Sequence, residues 1–201
     1  MRNAYLVFIF LVAGHATIAQ KNFSEGFIVT LTKDTITGKV KDYFPGRLQF
    51  APKKIAFIDS TGIEKIYLPK DLSGYSKAEI ANYLSIDFGY GKNFAQVKID
   101  GYITLLSIKS KGTSTMFIPN GTGGTTMATG GYYETETFYL YKKKEITYLE
   151  VTKPGFKDWV ANFLSDYPEL KEMILKKELR YEDIEIIVEK YNKWKNQQIQ
   201  L

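Results

Sequence analysis

The hydrophobic pattern of the chain changes once, at Pro154-Gly155, and this change restricts the fold more than any other feature of the sequence. Between residues 27 and 151, short runs of β-branched and aromatic residues are separated by turn residues, which is typical of strands. From residue 156 onward, apolar residues recur at i, i+3, i+4 and i+7, which is typical of amphipathic helices. We therefore predict an α+β fold: a mostly antiparallel β-sheet, barrel- or sandwich-like, followed by about three C-terminal α-helices.

Paired runs in the first part of the chain predict β-hairpins within one β-rich domain, residues 20–152. The pairs are 27–32 with 35–40, 55–58 with 64–68, 94–99 with 102–108, and 132–141 with 146–151, and residues 48–50 are a further short candidate. Asp100-Gly101 separates two alternating runs and predicts a type I′ turn, which needs a positive φ at both central residues.

Two segments of this region are less regular. Residues 69–92 fit two structures equally well: Ser76-Lys-Ala-Glu79 has the form of a capping box, which favours a short helix, whereas the alternation over residues 80–88 favours a strand. Residues 111–131 include a Gly/Thr-rich, uncharged stretch, for which we predict a long, mobile hairpin connection. It lacks the closing Lys-Ser/Thr pair and the following helix of a phosphate-binding loop.

The C-terminal helical segment, residues 153–201, is expected to pack on the same domain. A first helix begins near Phe156, and Pro168 begins a second, because proline suits the first position of a helix. The third runs from about Tyr181 to Lys195, with acids at its start and lysines toward its end, which complements the helix dipole. The charges of the segment cancel, so we expect a neutral cap on the sheet or a face that docks a partner.

The N-terminal residues 1–19 have the pattern of a secretory signal peptide. Met1-Arg2 is followed by an apolar run of eleven residues, Ala4 to Gly14, and small residues at Thr17 and Ala19 are placed for cleavage before Gln20. The run is shorter than the roughly 20 residues of a membrane span, and no later run approaches that length. We expect an exported protein, periplasmic or extracellular, with no transmembrane segment in the mature chain.

Cleavage at this point removes whole classes of chemistry. The chain has no Cys, and its single His, His15, leaves with the signal peptide. Disulfides, thiolate or imidazole metal sites, and Ser-His-Asp or Cys-His catalysis each need a residue that is then absent. We therefore predict no metal site, no cofactor and no conventional catalytic triad.

The charge of the mature chain argues against nucleic acid as a partner. Loss of Arg2 lowers the net charge from +5 to +4, and 24 of the 26 remaining basic residues are Lys. Sites that recognise bases or phosphates favour the bidentate fork of Arg. We expect the partner to be an envelope component or another protein, with an oligomer of the chain as an alternative.

Tyrosines and acidic residues supply the candidate site residues. Tyrosine-rich strands offer faces on which sugars or apolar ligands stack. The ligand-contact candidates are Tyr102, Tyr132, Tyr133 and Tyr139. Glu134 and Glu136 are two residues apart, so they share one face of a strand, and they are weak candidates for a pair of catalytic carboxylates.

Several stretches resemble a broad group of uncharacterised secreted proteins of Bacteroidota type. These stretches are Gly26-Phe-Ile-Val, Asp34-Thr-Ile-Thr-Gly-Lys39, Asp71-Leu-Ser-Gly-Tyr75, Val97-Lys-Ile-Asp-Gly101, Phe163-Leu-Ser-Asp-Tyr-Pro-Glu-Leu170 and Ile187-Val-Glu-Lys-Tyr-Asn192. The resemblance covers most of the mature chain and implies export and a sheet followed by helices. It implies no activity and no catalytic residues.

Three functional hypotheses follow from the sequence. The first is a non-enzymatic envelope or extracellular binding module, with the tyrosine-bearing sheet face and residues 111–131 as its contact surface. The second is a His-free enzyme that acts on glycans with paired carboxylates. The third is a structural, oligomer-forming envelope protein with the helical tail as its interface.

Overall fold

The structure, a computed structural model, describes residues 22–43, 53–78, 81–89, 91–119 and 124–199. Its strands are β1 (Ser24–Thr30), β2 (Thr35–Tyr43), β3 (Lys54–Ile58), β4 (Glu64–Tyr67), β5 (Leu72–Lys77), β6 (Ala81–Asp87), β7 (Lys92–Ile99), β8 (Ile103–Pro119), β9 (Thr125–Lys142) and β10 (Thr147–Val151). Its helices are α1 (Phe156–Phe163), α2 (Pro168–Leu175) and α3 (Ile184–Ile199), with short 3-10 helices at Pro69–Asp71 and Tyr181–Asp183. The expected signal peptide and the strand candidate 48–50 lie outside the described residues.

All ten strands belong to one antiparallel sheet, in the order β10-β9-β8-β7-β6-β5-β1-β2-β3-β4. Two meanders, β1 to β4 and β5 to β10, are joined where β5 returns to pair with β1, which is a Greek-key type of connection. The predicted α+β architecture with an antiparallel sheet and three C-terminal helices is confirmed. A barrel or sandwich is not confirmed, because β4 and β10 are the two edges of an open sheet and no pairing joins them in the described part of the chain.

The ambiguous segment 69–92 resolves in favour of strands. Ser76 and Lys77 end β5, and β6 pairs with both β5 and β7, so the helix that the capping-box pattern favoured is wrong. Pairing with two neighbours outweighed a local pattern of four residues, of which Glu79 lies outside the described residues.

The three helices cover one end of one face of the sheet, which we call the helix face. Their apolar stripes pack on Ile103, Leu105, Leu140 and Val151, all of which are buried. Tyr191 on α3 is fully buried in the same cluster, which agrees with its place in the apolar stripe of that helix. Burial of these apolar residues attaches the helical segment to the sheet.

The opposite face of the sheet, which we call the trough face, has a smaller core of its own. Phe88, which follows β6, lies with its ring centroid 4.2 Å from that of Tyr139 and 5.2 Å from that of Tyr148. Ala95 and Leu106 are fully buried beside this aromatic group. The rest of the trough face has no helix packed on it among the described residues.

Residues 111–131 are not the long connection that the sequence predicted. β8 and β9 pair from Ile103–Lys142 as far as Pro119–Thr125, with one bulge near Ser114, so most of the Gly/Thr-rich stretch is strand. Threonine is a good strand former, and a hairpin already anchored at Leu105 and Leu140 extends readily by cross-strand pairing. Beyond Ser107 and before Phe138, no third strand pairs with this ribbon in the described part of the chain.

The hairpin between β7 and β8 is confirmed, but the predicted type I′ turn is wrong. Neither Asp100 nor Gly101 has a positive φ. Glycine is required at position 101 for a different reason: a Cβ atom there would overlap the side-chain amide of Asn192 on α3. The glycine therefore permits close packing of a helix rather than an unusual backbone conformation.

Candidate functional site

Three neighbouring cavities with shared lining residues lie along the trough face, and we call this row of cavities the trough. The distal cavity, of about 810 Å³, lies over β1, β2 and β3. The central cavity, of about 310 Å³, shares Phe27 and Asn82 with it. The third, of about 460 Å³, which we call the lysine cavity, shares Lys33, Leu84 and Lys143 with the central one. The trough therefore crosses the sheet from β3 to the end of β9.

Strand register places the apolar floor of the central cavity. Val29, Gly74, Leu84 and Ala95 form one row across β1, β5, β6 and β7. A Cβ atom at Gly74 would overlap the carbonyl oxygen of Tyr83, so a side chain there requires the strand to shift. Because Gly74 has no side chain, it leaves open space in the cavity between the side chains of Val29 and Leu84.

Two lysines on the wall of the lysine cavity, Lys33 and Lys92, have no close ion-pair partner among the described residues. Lys33 Nζ donates a hydrogen bond to Ser73 Oγ at 3.2 Å. No carboxylate of the described residues lies within 4.0 Å of the ammonium group of Lys33 or Lys92. Asp87 is the cross-strand partner of Lys92 and keeps its negative charge, but it lies beyond ion-pair distance, and one of its oxygens accepts the backbone N–H groups of Gly89 and Gly91. The cavity therefore favours an anion.

Lys143, also on the wall of this cavity, is paired with Asp100. Burial raises the pKa of the Asp100 carboxyl, but hydrogen bonds from Lys143 and Thr104 outweigh burial and hold its pKa below the usual range. Asp100 is therefore ionised at neutral pH and neutralises Lys143. The net charge of the lysine cavity comes from Lys33 and Lys92.

The distal cavity is mixed in charge. Glu25 lies 4.0 Å from Lys39, and both line the cavity. Hydrogen bonds from the Thr61 side chain and backbone, with the charge of Lys65, hold the pKa of Asp59 below its ordinary value despite slight desolvation. Glycoside hydrolysis needs one carboxyl group that stays protonated as a general acid, whereas the lowered pKa of Asp59 favours its ionised form.

The expected tyrosines do not assemble on one surface. Tyr139 is buried against Phe88, and Tyr133 is exposed on the β8–β9 ribbon. Tyr102 lies on the side of the helices, with the ammonium groups of Lys144 and Lys195 5.1 and 5.0 Å from its ring centroid. The side chain of Tyr132 lies outside the described residues. The trough instead contains Tyr141, two residues beyond Tyr139 on the same strand face.

The two candidate glutamates lie away from the trough. Glu134 and Glu136 share the face of β9 that also carries Phe138 and Leu140, which is the helix face. Glu136 Oε1 is 3.6 Å from Lys98 Nζ, and Glu134 is exposed. Among the described residues, no cluster of three or more acidic, His or Cys side chains is placed to hold a metal ion.

A buried polar group on the helix face has a structural role. Asp42 accepts a hydrogen bond from the Tyr75 hydroxyl at 3.0 Å and pairs with Lys77 at 2.7 Å. The Tyr83 ring stacks on Tyr75, and burial together with Asp42 raises the pKa of Tyr83 to about 12. These groups satisfy one another and keep both phenols protonated at neutral pH.

Sequence reasoning missed the lysine cavity. Lys33 and Lys143 lie between the paired runs of predicted hairpins, and Lys92 has no distinguishing pattern. The three residues belong to three different turns or strand ends, so no spacing in the sequence indicates that they meet. The positive φ of Lys33, 72°, which helps to close the β1–β2 turn, also has no glycine or asparagine to signal it.

Comparisons with protein-family models, with curated protein sequences and with solved structures find no match to this chain. The described part of the chain contains no helix of the length and apolar character that crossing a bilayer requires.

Proposed function

We propose that this protein is an exported, non-enzymatic binding module of the cell envelope or exterior, which holds an elongated ligand in the trough. Export is supported by the signal-peptide pattern of residues 1–19 and by the resemblance to secreted proteins. We propose the relationship to those secreted proteins together with the function.

The observation that carries the proposal is that three cavities with shared lining residues lie side by side on the sheet face that, among the described residues, has no helix packed on it. Ligand sites are typically concave, largely apolar grooves with a few polar groups at defined positions. The central cavity supplies the apolar part through Val29 and Leu84, and the two end cavities supply charged groups.

The other two hypotheses have less support. The carboxylates that line the distal cavity are ion-paired or hydrogen-bonded, which suits a fixed negative charge better than an acid–base pair. The apolar stripes of the helices are buried against the sheet. Among the described residues of the helices, Trp159 and Ile186 are the large apolar side chains that remain exposed. A helical interface between copies would need a wider apolar patch.

The test is native mass spectrometry of the mature chain, residues 20–201, purified gently from cells that make it. We expect a reproducible bound mass. Val29→Trp, which fills the central cavity, should abolish that mass, whereas Ile36→Trp, at an exposed position of β2, should leave it intact. Circular dichroism checks that both variants fold. A bare protein in every preparation, or equal loss in both variants, contradicts the proposal.

A further inference from the structure

We propose that the trough binds an anionic, single-chain amphiphile, with its headgroup in the lysine cavity and its apolar chain along the central cavity. This inference rests on the proposed function and specifies the ligand of the same site.

The headgroup site is defined by two ammonium groups without a close carboxylate partner. Lys33 and Lys92 face the lysine cavity without a carboxylate within ion-pair distance among the described residues. Ser73 accepts from Lys33 and retains its own hydroxyl proton, which is free to donate. Tyr141 lines the same cavity. Two ammonium groups and the Ser73 hydroxyl match a carboxylate or a phosphate monoester.

The apolar chain site begins where the headgroup site ends. Leu84 lines both cavities, and beyond it the floor continues through Val29 and Val97 to Phe27. Leu31, which directly follows β1, lines the lysine cavity, and Phe27 on β1 lines the central one; the four steps of about 3.4 Å between them give a length of about 14 Å. An acyl chain of medium length fits this distance in extended form.

The combination excludes simpler ligands. A sugar phosphate could use the polar wall of the central cavity but would leave its floor of Val29, Leu84 and Val97 without an apolar partner. A neutral hydrocarbon would leave the ammonium groups of Lys33 and Lys92 without the anion they favour. Only a molecule with both parts, at this spacing, satisfies both cavities.

Two sources supply this chemistry, and chosen probes separate them. Dodecanoate carries a carboxylate headgroup and dodecyl phosphate carries a phosphate headgroup. Dodecanol and dodecyltrimethylammonium keep the chain but have a neutral or a positive headgroup. Titrating each probe below its micelle concentration into the mature protein, with calorimetry as the readout, compares the headgroups at constant chain length.

We expect both anionic probes to bind, dodecanol to bind at least tenfold more weakly, and the cationic probe not to bind. Shortening the chain by one methylene should weaken binding about fourfold. The better of the two anionic probes identifies the ligand class as a fatty acid or a single-chain phosphate monoester. Higher salt should weaken binding of the anions and leave dodecanol unchanged.

The double variant Lys33→Gln/Lys92→Gln tests the headgroup site. It should weaken anion binding by at least tenfold while leaving dodecanol binding within about twofold. The matched control Lys157→Gln/Lys193→Gln changes two exposed helical lysines away from the trough and should bind like the wild type.

Equal affinity for dodecanoate and dodecanol, unchanged by the double variant, would overturn the headgroup assignment. If no probe binds but a co-purifying molecule is still displaced by Val29→Trp, the amphiphile is wrong and the trough remains a binding site. If no probe binds and no molecule co-purifies, the proposed function fails as well.

Discussion

Replacing Asn192 by Ala removes the side chain through which α3 holds the first residue of β8. Asn192 Oδ1 accepts the Ile103 N–H at 2.8 Å, and its Nδ2 donates to the Ile103 carbonyl at 2.9 Å. Ile103 is completely buried and Asn192 nearly so, which leaves water little access to either backbone group. The amide therefore acts as a two-bond clamp between the helical segment and the sheet.

The size of the effect follows from the groups left without partners. Each buried backbone group that loses its hydrogen bond costs about 1–3 kcal/mol. Ala forms helix better than Asn by roughly 0.5 kcal/mol, which offsets a small part of this loss. We expect Asn192→Ala to lower the free energy of unfolding by about 2–5 kcal/mol, a large fraction of the stability of an ordinary domain.

Urea unfolding followed by circular dichroism measures this change. Asn196→Ala is a matched control, because it makes the same substitution in the same helix at an exposed position. It should change the free energy of unfolding by no more than about 0.5 kcal/mol. Equal stabilities for the two variants would refute the clamp.

A double-mutant cycle with Gly101 tests the same contact independently. Gly101→Ala should destabilise the wild type by about 1–3 kcal/mol, because its new Cβ overlaps the Asn192 side chain. In the Asn192→Ala background that overlap is gone, so the cost of Gly101→Ala should fall well below its cost in the wild type. Strict additivity would show that the two residues do not touch.

Three further outcomes are expected. Phe88→Ala should cost about 3–5 kcal/mol by urea unfolding, since the ring packs in a buried aromatic group with Tyr139, and a loss below about 1 kcal/mol would contradict that packing. Burial raises the pKa of the Asp166 carboxyl, but hydrogen bonds from Lys195 and Tyr191 outweigh burial, and the pKa in the folded protein is lowered. The ionised carboxylate therefore stabilises the fold above the ordinary Asp pKa of 3.8, and this contribution is lost as the pH falls through the lower pKa of the folded state. Asp166→Asn should therefore be less stable than the wild type at neutral pH, and the gap should narrow in acid; a gap independent of pH would count against this pair. Lys153→Ala, which removes an exposed salt bridge, should leave the urea midpoint unchanged.

Local patterns predicted those parts of the fold in which local and tertiary forces agree. The β1–β2 hairpin and the helix that begins at Pro168 lie where alternation and proline placed them. Asp100-Gly101 correctly marked a hairpin, but the turn type depended on the approach of α3, which a local pattern does not contain. The prediction of a mobile connection at residues 111–131 was wrong. Their Gly/Thr content is typical of flexible segments, but pairing between β8 and β9 determines their structure.

The candidate site was far less accessible to sequence reasoning. Tyr102 and Tyr139 were chosen for their residue type, and the structure buries one and sets the other beside the helices. The sequence by itself determined that a β-rich region precedes three helices and which residue types are available for chemistry, because periodicity and composition are properties of neighbours in the chain. Only the tertiary structure decided that β5 pairs with β1, and that Lys33, Lys92 and Lys143 meet over one apolar floor. Those residues are far apart in sequence, and strand pairing over long separations is what brings them together.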